Sequence, residues 1–246
     1  MCAPARNDSK KIVSMEYLPN GYTLSVCPGA FPLSTDSMCL AHFVRLSKKA
    51  RVLDLGSGCG TLGLLLCSRD PLCSVTGLEL SETAHQEAVE NIRRNGLQHR
   101  MESICADLRS VSEAFSPGCF DVCISNPPYF TGGPASKDAP LARRDDCCTI
   151  PELMASAAWA LKFGGDFFLV HKPERLAELI SCAAAHRLEA KRLCLLRHRE
   201  DGPVALILLQ MRKGAKPGLT WEEISLHHLD GTPTDQYSTI YHIPNT

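Results

Sequence analysis

Short apolar runs alternate with helical periodicities along most of this chain, and that alternation sets the expected architecture. Arg51 to Leu55 reads as a strand that ends in a glycine turn. Thr61 to Arg69 follows at helical spacing and is stopped by Asp70-Pro71. Ser74 to Leu80 alternates as a second strand with Glu79 at its end. Ser81 then caps a helix in which Ala84, Ala88 and Ile92 recur until Asn95-Gly96. Met101 to Ala106 reads as a third strand, with Asp107 at its end. A short helix around Ser110 to Phe115 precedes a fourth strand, Phe120 to Ser125.

The second half repeats the theme. Thr149-Ile150-Pro151-Glu152 has capping-box spacing and opens a helix through Leu153, Ala157 and Leu161 to Gly164-Gly165. Asp166 to His171 is a fifth strand, and Pro173 starts a helix through Leu176, Leu179 and Ala183. Leu188 to Leu196 and Val204 to Met211 are the last two strands, joined by a polar turn at Arg199 to Pro203. This order predicts an α/β fold with a mostly parallel, seven-stranded sheet, covered by helices on both faces and closed by an antiparallel pair. Two segments stand outside it. Tyr17 to Val26, with Asn20-Gly21 at its centre, predicts an N-terminal hairpin with a tight primed turn. Phe130 to Cys148 is a long connection without a pattern of its own, the natural place for a substrate lid. The expected organisation is an arm over residues 1–30 and one domain over 31–246.

Composition narrows the class. Of the 246 residues, 44% are hydrophobic and 22% charged, ordinary values for a folded domain. No apolar stretch approaches the roughly 20 residues of a spanning helix. Met1 to Lys11 has no apolar core of the leader kind, so a cytoplasmic protein without membrane contact is expected. The 13 cysteines are odd in number and scattered, with no C-x-x-C pair. Cys67, Cys105, Cys123, Cys182 and Cys194 lie in apolar runs, where cysteine acts as a small hydrophobe. No metal site is expected, and Cys147-Cys148 is the pair worth a redox test. A net charge of −1 means that a nucleic-acid partner would need a local basic face. Candidates are Lys48-Lys49 with Arg51, Arg93-Arg94, Arg143-Arg144, and Lys191-Arg192 with Arg197 and Arg199.

Ligands of open α/β sheets bind beyond the carboxyl ends of the strands. Asp54, Glu79, Asp107 and Asn126 arrive there in succession. Gly56, Gly58 and Gly60 let backbone amides approach a ligand closely. Glu79 can accept from both hydroxyls of a ribose, and Asp107 from an adenine amine. Asp54 can order the glycine loop or meet an ammonium group. Gly58 to Gly63 also spells a dinucleotide fingerprint, with Glu79 about 20 residues further on. Three features favour a methyl donor instead: the pattern extends upstream to Asp54 and Gly56, an acid there opposes a pyrophosphate, and Asn126-Pro127-Pro128-Tyr129 has no use in nicotinamide chemistry.

That tetrapeptide suits a planar amine. The lone pair of such a nitrogen is delocalised, and hydrogen-bond acceptors on both of its N–H groups draw it toward reactivity. The Asn126 side-chain carbonyl and the Pro127 backbone carbonyl are the acceptors, and two prolines hold them still. Tyr129 or Phe130 offers a flat face for a base, with stacking of about 1–3 kcal/mol.

With these residues the chain resembles the class I, Rossmann-like, S-adenosylmethionine-dependent methyltransferases of the small-domain group. Asn126 to Phe130, Leu141 to Arg144 and Gly164 to Leu176 are similar to the bacterial tRNA1(Val) adenine-N6 methyltransferase family. Phe31 to Asp36 matches a segment that caps the donor in such enzymes. The resemblance implies S-adenosylmethionine as cofactor and an adenine beside the anticodon of a tRNA as substrate. It implies Asn126, Pro127, Pro128 and Tyr129 as catalytic residues. It implies a donor site of Asp36, Asp54, Gly56, Ser57, Gly58, Gly60, Thr61, Glu79, Leu80, Asp107 and Leu108. Tyr129, Phe130, Arg143 and Arg144 would hold substrate, and a monomer is expected. The family loop often reads Ala-Arg-His-Glu, whereas this chain has Ala142-Arg143-Arg144-Asp145. The alternatives are a glutamine-amide, an rRNA guanine-N2 or a DNA adenine methyltransferase, and a cofactor-binding module without catalysis.

Overall fold

Parallel pairing of neighbouring strands carries a set of acidic and amide side chains to one edge of the sheet. In a computed structural model, residues 14–18, 21–129 and 148–242 are described. Met1 to Lys11, Asn20, and Phe130 to Cys147 with Arg143 and Arg144 lie outside them. The elements in order are β1 (Ser14–Tyr17), β2 (Thr23–Val26), α1 (Thr35–Phe43), β3 (Arg51–Leu55), α2 (Thr61–Arg69), β4 (Ser74–Glu79), α3 (Glu82–Arg94) and β5 (Met101–Cys105). A 3-10 turn at Leu108–Ser110 leads into α4 (Val111–Ala114), followed by β6 (Phe120–Ser125), α5 (Ile150–Ala160) and β7 (Leu161–His171). After a 3-10 turn at Pro173–Arg175 come α6 (Leu176–Ala185), β8 (Leu188–Arg199), β9 (Val204–Lys213), β10 (Thr220–His227) and α7 (Asp235–Ile240).

Eight strands form the main sheet in the order β10-β8-β9-β7-β6-β3-β4-β5. β9 runs antiparallel to β7 and β8, and the remaining pairs are parallel. β7 lies near the middle and is buried on both sides. Phe168 joins the core under α1, α2 and α3, edge-on to Phe43 at 5.9 Å. Phe167 joins the core under α4, α5 and α6. Both are fully buried, about 1.5–3 kcal/mol each from water removal.

Several expected boundaries shift for identifiable reasons. α5 stops at Ala160 rather than at Gly164-Gly165, because Leu161 already pairs with Phe120 of β6. A Cβ on Gly165 would stand 2.9 Å from the Asp121 carbonyl, so that glycine permits a close strand approach instead of ending a helix. The expected hairpin forms, and its turn at Asn20-Gly21 falls partly outside the described residues. Tyr17 pairs with Thr23 and the Leu18 N–H donates to the Tyr22 carbonyl. Outside the expected elements are α1, β10 and α7. α1 buries six of its nine residues and so shows no polar face to reveal its period. β10 buries only Ile224 and Leu226 among eight.

The hairpin is held by two asparagines one turn apart, Asn91 on α3 and Asn95 capping its end. Asn91 Oδ1 accepts from Ser25 N–H, and its Nδ2 donates to the carbonyls of Ser25 and Cys59. Asn95 repeats the exchange with Thr23. The side-chain amides thus stand in for a neighbouring strand. Asn91 is wholly buried, and losing it would strand three backbone groups at about 1–3 kcal/mol apiece.

Candidate active site

Strand ends set the donor side. Asp54 in β3 is buried, and neither carboxylate oxygen has a hydrogen-bond partner among the described residues. Burial, with Glu79 adding repulsion, pushes its acid up to about 8. The loop that follows turns through positive φ at Gly56, Gly58 and Gly60, and the last of these caps α2. A Cβ on Gly56 or Gly58 would meet nothing within 4 Å, so the loop is open on its outer side. The amides of Gly56 and Ser57 donate to the Leu78 carbonyl at 2.9 and 3.1 Å, fastening the loop to β4. Ser57 packs against Gly77, and its buried Oγ has no partner among the described residues.

Glu79 ends β4 half-buried. Its carboxylate accepts from Gly58 N–H and Ser81 N–H, both at 2.8 Å, so it braces the glycine loop and the entry to α3 together. A carboxylate has about four acceptor positions, which leaves room for two hydroxyls. Asp107 caps the 3-10 turn and is clamped by Arg109 through Nε and Nη2, which holds its acid below the usual range. Thr61 and Leu108 are half-buried nearby in sequence, and Leu80 is 48% exposed.

On the acceptor side, Asn126-Pro127-Pro128-Tyr129 leaves β6 as expected. α1 supplies what the sequence reading did not foresee. Its cap, Ser34, accepts from Ser37 N–H, and Ser37 Oγ accepts from Asn126 Nδ2 at 3.2 Å. That bond turns the carboxamide so that Oδ1 receives no hydrogen bond from any described residue. Tyr129 donates its hydroxyl to Asp36, whose acid is raised by burial and partly offset by Lys172. Lys172 Nζ stands 5.0 Å from the Tyr129 ring centre, and His171 meets the ring edge-on at 5.5 Å. His171 Nδ1 accepts from Lys172 N–H, and burial lowers its basicity. The roles of Ser37, His171 and Lys172 were not visible in sequence; a serine inside a mostly buried helix carries no signal of its own.

The structure therefore joins Asp36 to the acceptor motif through Tyr129 rather than to the glycine loop. The cysteines are buried or scattered, with no disulfide among the described residues. Burial pushes the Cys148 thiol up to about 12. Among the described residues no cluster suits a metal, and no helix is long and apolar enough to cross a membrane.

This sheet, with its acidic strand ends and glycine loop, is the fold of a class I methyltransferase. A predicted O-methyltransferase from Agrobacterium tumefaciens shares it at a TM-score of 0.71 and 23% identity, over 85% of this chain and 96% of that one. The T. thermophilus 16S rRNA N2 G1207 methyltransferase, solved with AdoMet and guanosine, shares it at 0.57 and 23%, over 82% of this chain and 50% of that one. The sequence narrows the class, because residues 32–181 match the methyltransferase small domain model and the chain belongs to that family. It is 30% identical over 203 residues to the tRNA1(Val) (adenine(37)-N6)-methyltransferase of Bacteroides fragilis, covering 80% of this chain and 85% of that relative. The enzyme of the same name from Tolumonas auensis is 32% identical over 197 residues, 79% and 81% of the two chains. The chain is an S-adenosylmethionine-dependent N-methyltransferase. The orphaned Asp54 carboxylate, the unpartnered Ser57 hydroxyl and the open glycine loop fit that cofactor.

Proposed function

We propose that this enzyme methylates the exocyclic N6 amine of an adenine in tRNA, beside the anticodon. The single observation that carries this reading is the Asn126 carboxamide, turned by Ser37 so that its oxygen is left to accept. The relatives, named for the same reaction, support it.

Asp54, Ser57, Glu79 and the amides of the Gly56 to Gly60 loop would hold S-adenosylmethionine, with Asp107, Thr61, Leu80 and Leu108 around them. When bound, the cofactor supplies an activated methyl carbon. Asn126 Oδ1 and the Pro127 carbonyl accept from the two N–H groups of the target amine, and the rigid Pro127-Pro128 pair keeps them in register. Tyr129 presents one face to the base, since Lys172 stands over the ring. Phe130, Arg143 and Arg144 are proposed to complete the hold on RNA. No strong base is required, because the methylated amine sheds its proton readily, and positioning carries the rate. In this reading residues 1–30 form an arm on a catalytic unit spanning 31–246, acting as a cytoplasmic monomer.

The test is Asn126→Ala, assayed with labelled cofactor on RNA from cells lacking the enzyme, followed by digestion to nucleosides. Wild type should yield N6-methyladenosine. The variant should lose at least a hundredfold in rate while binding cofactor as before. Label in N2-methylguanosine would replace the adenine reading, and equal loss of cofactor binding would make Asn126 a donor-site residue.

A further inference from the structure

A second concavity lies at the opposite edge of the sheet from the methyl-transfer site. It holds about 660 Å³ and is bounded by Arg45 to Ser47 on the α1–β3 connection and Gly218 to Thr220 ahead of β10. Its floor is built of paired charges. Arg212 grips Asp166 at 2.8 and 2.9 Å, bridging β9 and β7. Arg192 bonds Glu222 at 2.7 Å, donates to the carbonyl of Phe43 and lies 4.1 Å over that ring. Lys191 and Arg192 share the cleft because β8 bulges there, its register slipping between Ala190 and Arg192.

Around that neutralised floor the charge is one-sided, with Arg45 and Lys191 in the lining and Lys48-Lys49 following it in sequence. Arg45, Lys48, Lys49 and Lys191 form no ion pair among the described residues. Lys191 Nζ is steadied at 3.1 Å by the Lys216 carbonyl. Lys49, two residues past the lining Ser47, holds a left-handed backbone, φ 59°, which glycine or asparagine adopts at less cost. In a chain of net charge −1 this is a local excess. The unpaired cations stand on two walls instead of converging on one point, which suits a chain of anions better than one.

We infer that this cleft binds backbone phosphates of the RNA at a distance from the methylated nucleotide. The inference rests on the RNA reading above. Geometry permits one substrate to span both places. β7 carries Asp166 on the cleft floor and His171 at the catalytic edge, five residues or about 17 Å apart. α1 also joins them, with Asp36 and Ser37 in its first turn and the Phe43 carbonyl on Arg192 at its last.

The experiment is Arg45→Glu with Lys191→Glu, titrated with tRNA at several salt concentrations and assayed for methyl transfer. The KM for tRNA should rise at least tenfold at low salt while kcat at saturating tRNA holds. The salt slope of binding should flatten by about 2, one for each lost phosphate contact. Arg45→Lys with Lys191→Arg should behave as wild type. Unchanged tRNA affinity and slope would overturn the inference, as would a fall in kcat or in cofactor affinity. A small-anion site would show instead as protection of wild type, but not the variant, by inorganic phosphate with tRNA binding unaltered; that too overturns it. Should wild type methylate no RNA, the adenine reading falls, and the tRNA titration still decides the cleft.

Discussion

At the scale of single residues, the site is organised by side chains that orient others. Ser37 turns Asn126, Asp36 ties down the Tyr129 hydroxyl, and Lys172 covers the ring. Tyr129 is then a flat surface whose hydroxyl serves the enzyme and not the substrate. Tyr129→Phe should keep kcat within about threefold, whereas Tyr129→Ala should raise the RNA KM by about 5- to 150-fold, the equivalent of one lost stack of about 1–3 kcal/mol. Steady-state kinetics on tRNA would check both, and a larger loss for Phe than for Ala would refute the division of labour. The strand-end placement of the acids and of the tetrapeptide was readable in sequence, because apolar runs closed by polar and turn residues mark where strands stop. Ser37 was not, since its contact spans 89 positions and depends on where α1 packs.

Elements were most legible where pattern and punctuation agreed. α2 and β6 begin and end where the apolar runs and turn residues put them, and the capping box of α5 forms with both of its hydrogen bonds. Legibility failed where tertiary pairing overrode local signals. Leu161 continues a helical period, yet it is taken up by β6, and the two glycines after it serve a strand irregularity. β10 looks polar because an edge strand needs one covered face. The join of β3 to β4 yields a test of how far packing between strands shapes the cofactor loop. A Cβ at Gly77 would stand 2.6 Å from Ser57 Oγ and 2.9 Å from Ser57 Cβ. Gly77→Ala should therefore displace the loop and weaken cofactor binding at least tenfold while the circular-dichroism spectrum stays native. Undiminished binding by calorimetry would show that the loop yields freely.

For the whole molecule, Asp54 bears on the pH dependence of folding. Its acid is pushed up to about 8, above the unfolded value near 3.9, so the folded chain holds the extra proton between those limits. Its contribution to stability is full at low pH and declines as pH rises from about 4 through 8. Urea midpoints for Asp54→Asn should accordingly lose that slope and exceed wild type near pH 8. If the carboxylate meets the cofactor's ammonium group, binding at pH 7 should release close to one proton, seen as a dependence of the calorimetric heat on buffer ionisation. Asp54→Asn should abolish that release, and an equal heat in every buffer for wild type would remove Asp54 from the cofactor site.

The asparagine clasp has a consequence for how the chain is built. A lone two-stranded hairpin is barely stable in water, and Ser25 waits 66 positions for Asn91. Since the same amide also grasps Cys59, inside the glycine loop, the hairpin and that loop are locked by one latch. During synthesis the hairpin cannot be clasped to that loop before α3 has emerged from the ribosome. Anyone trimming the residues around β1 and β2 would be slackening the glycine loop from behind.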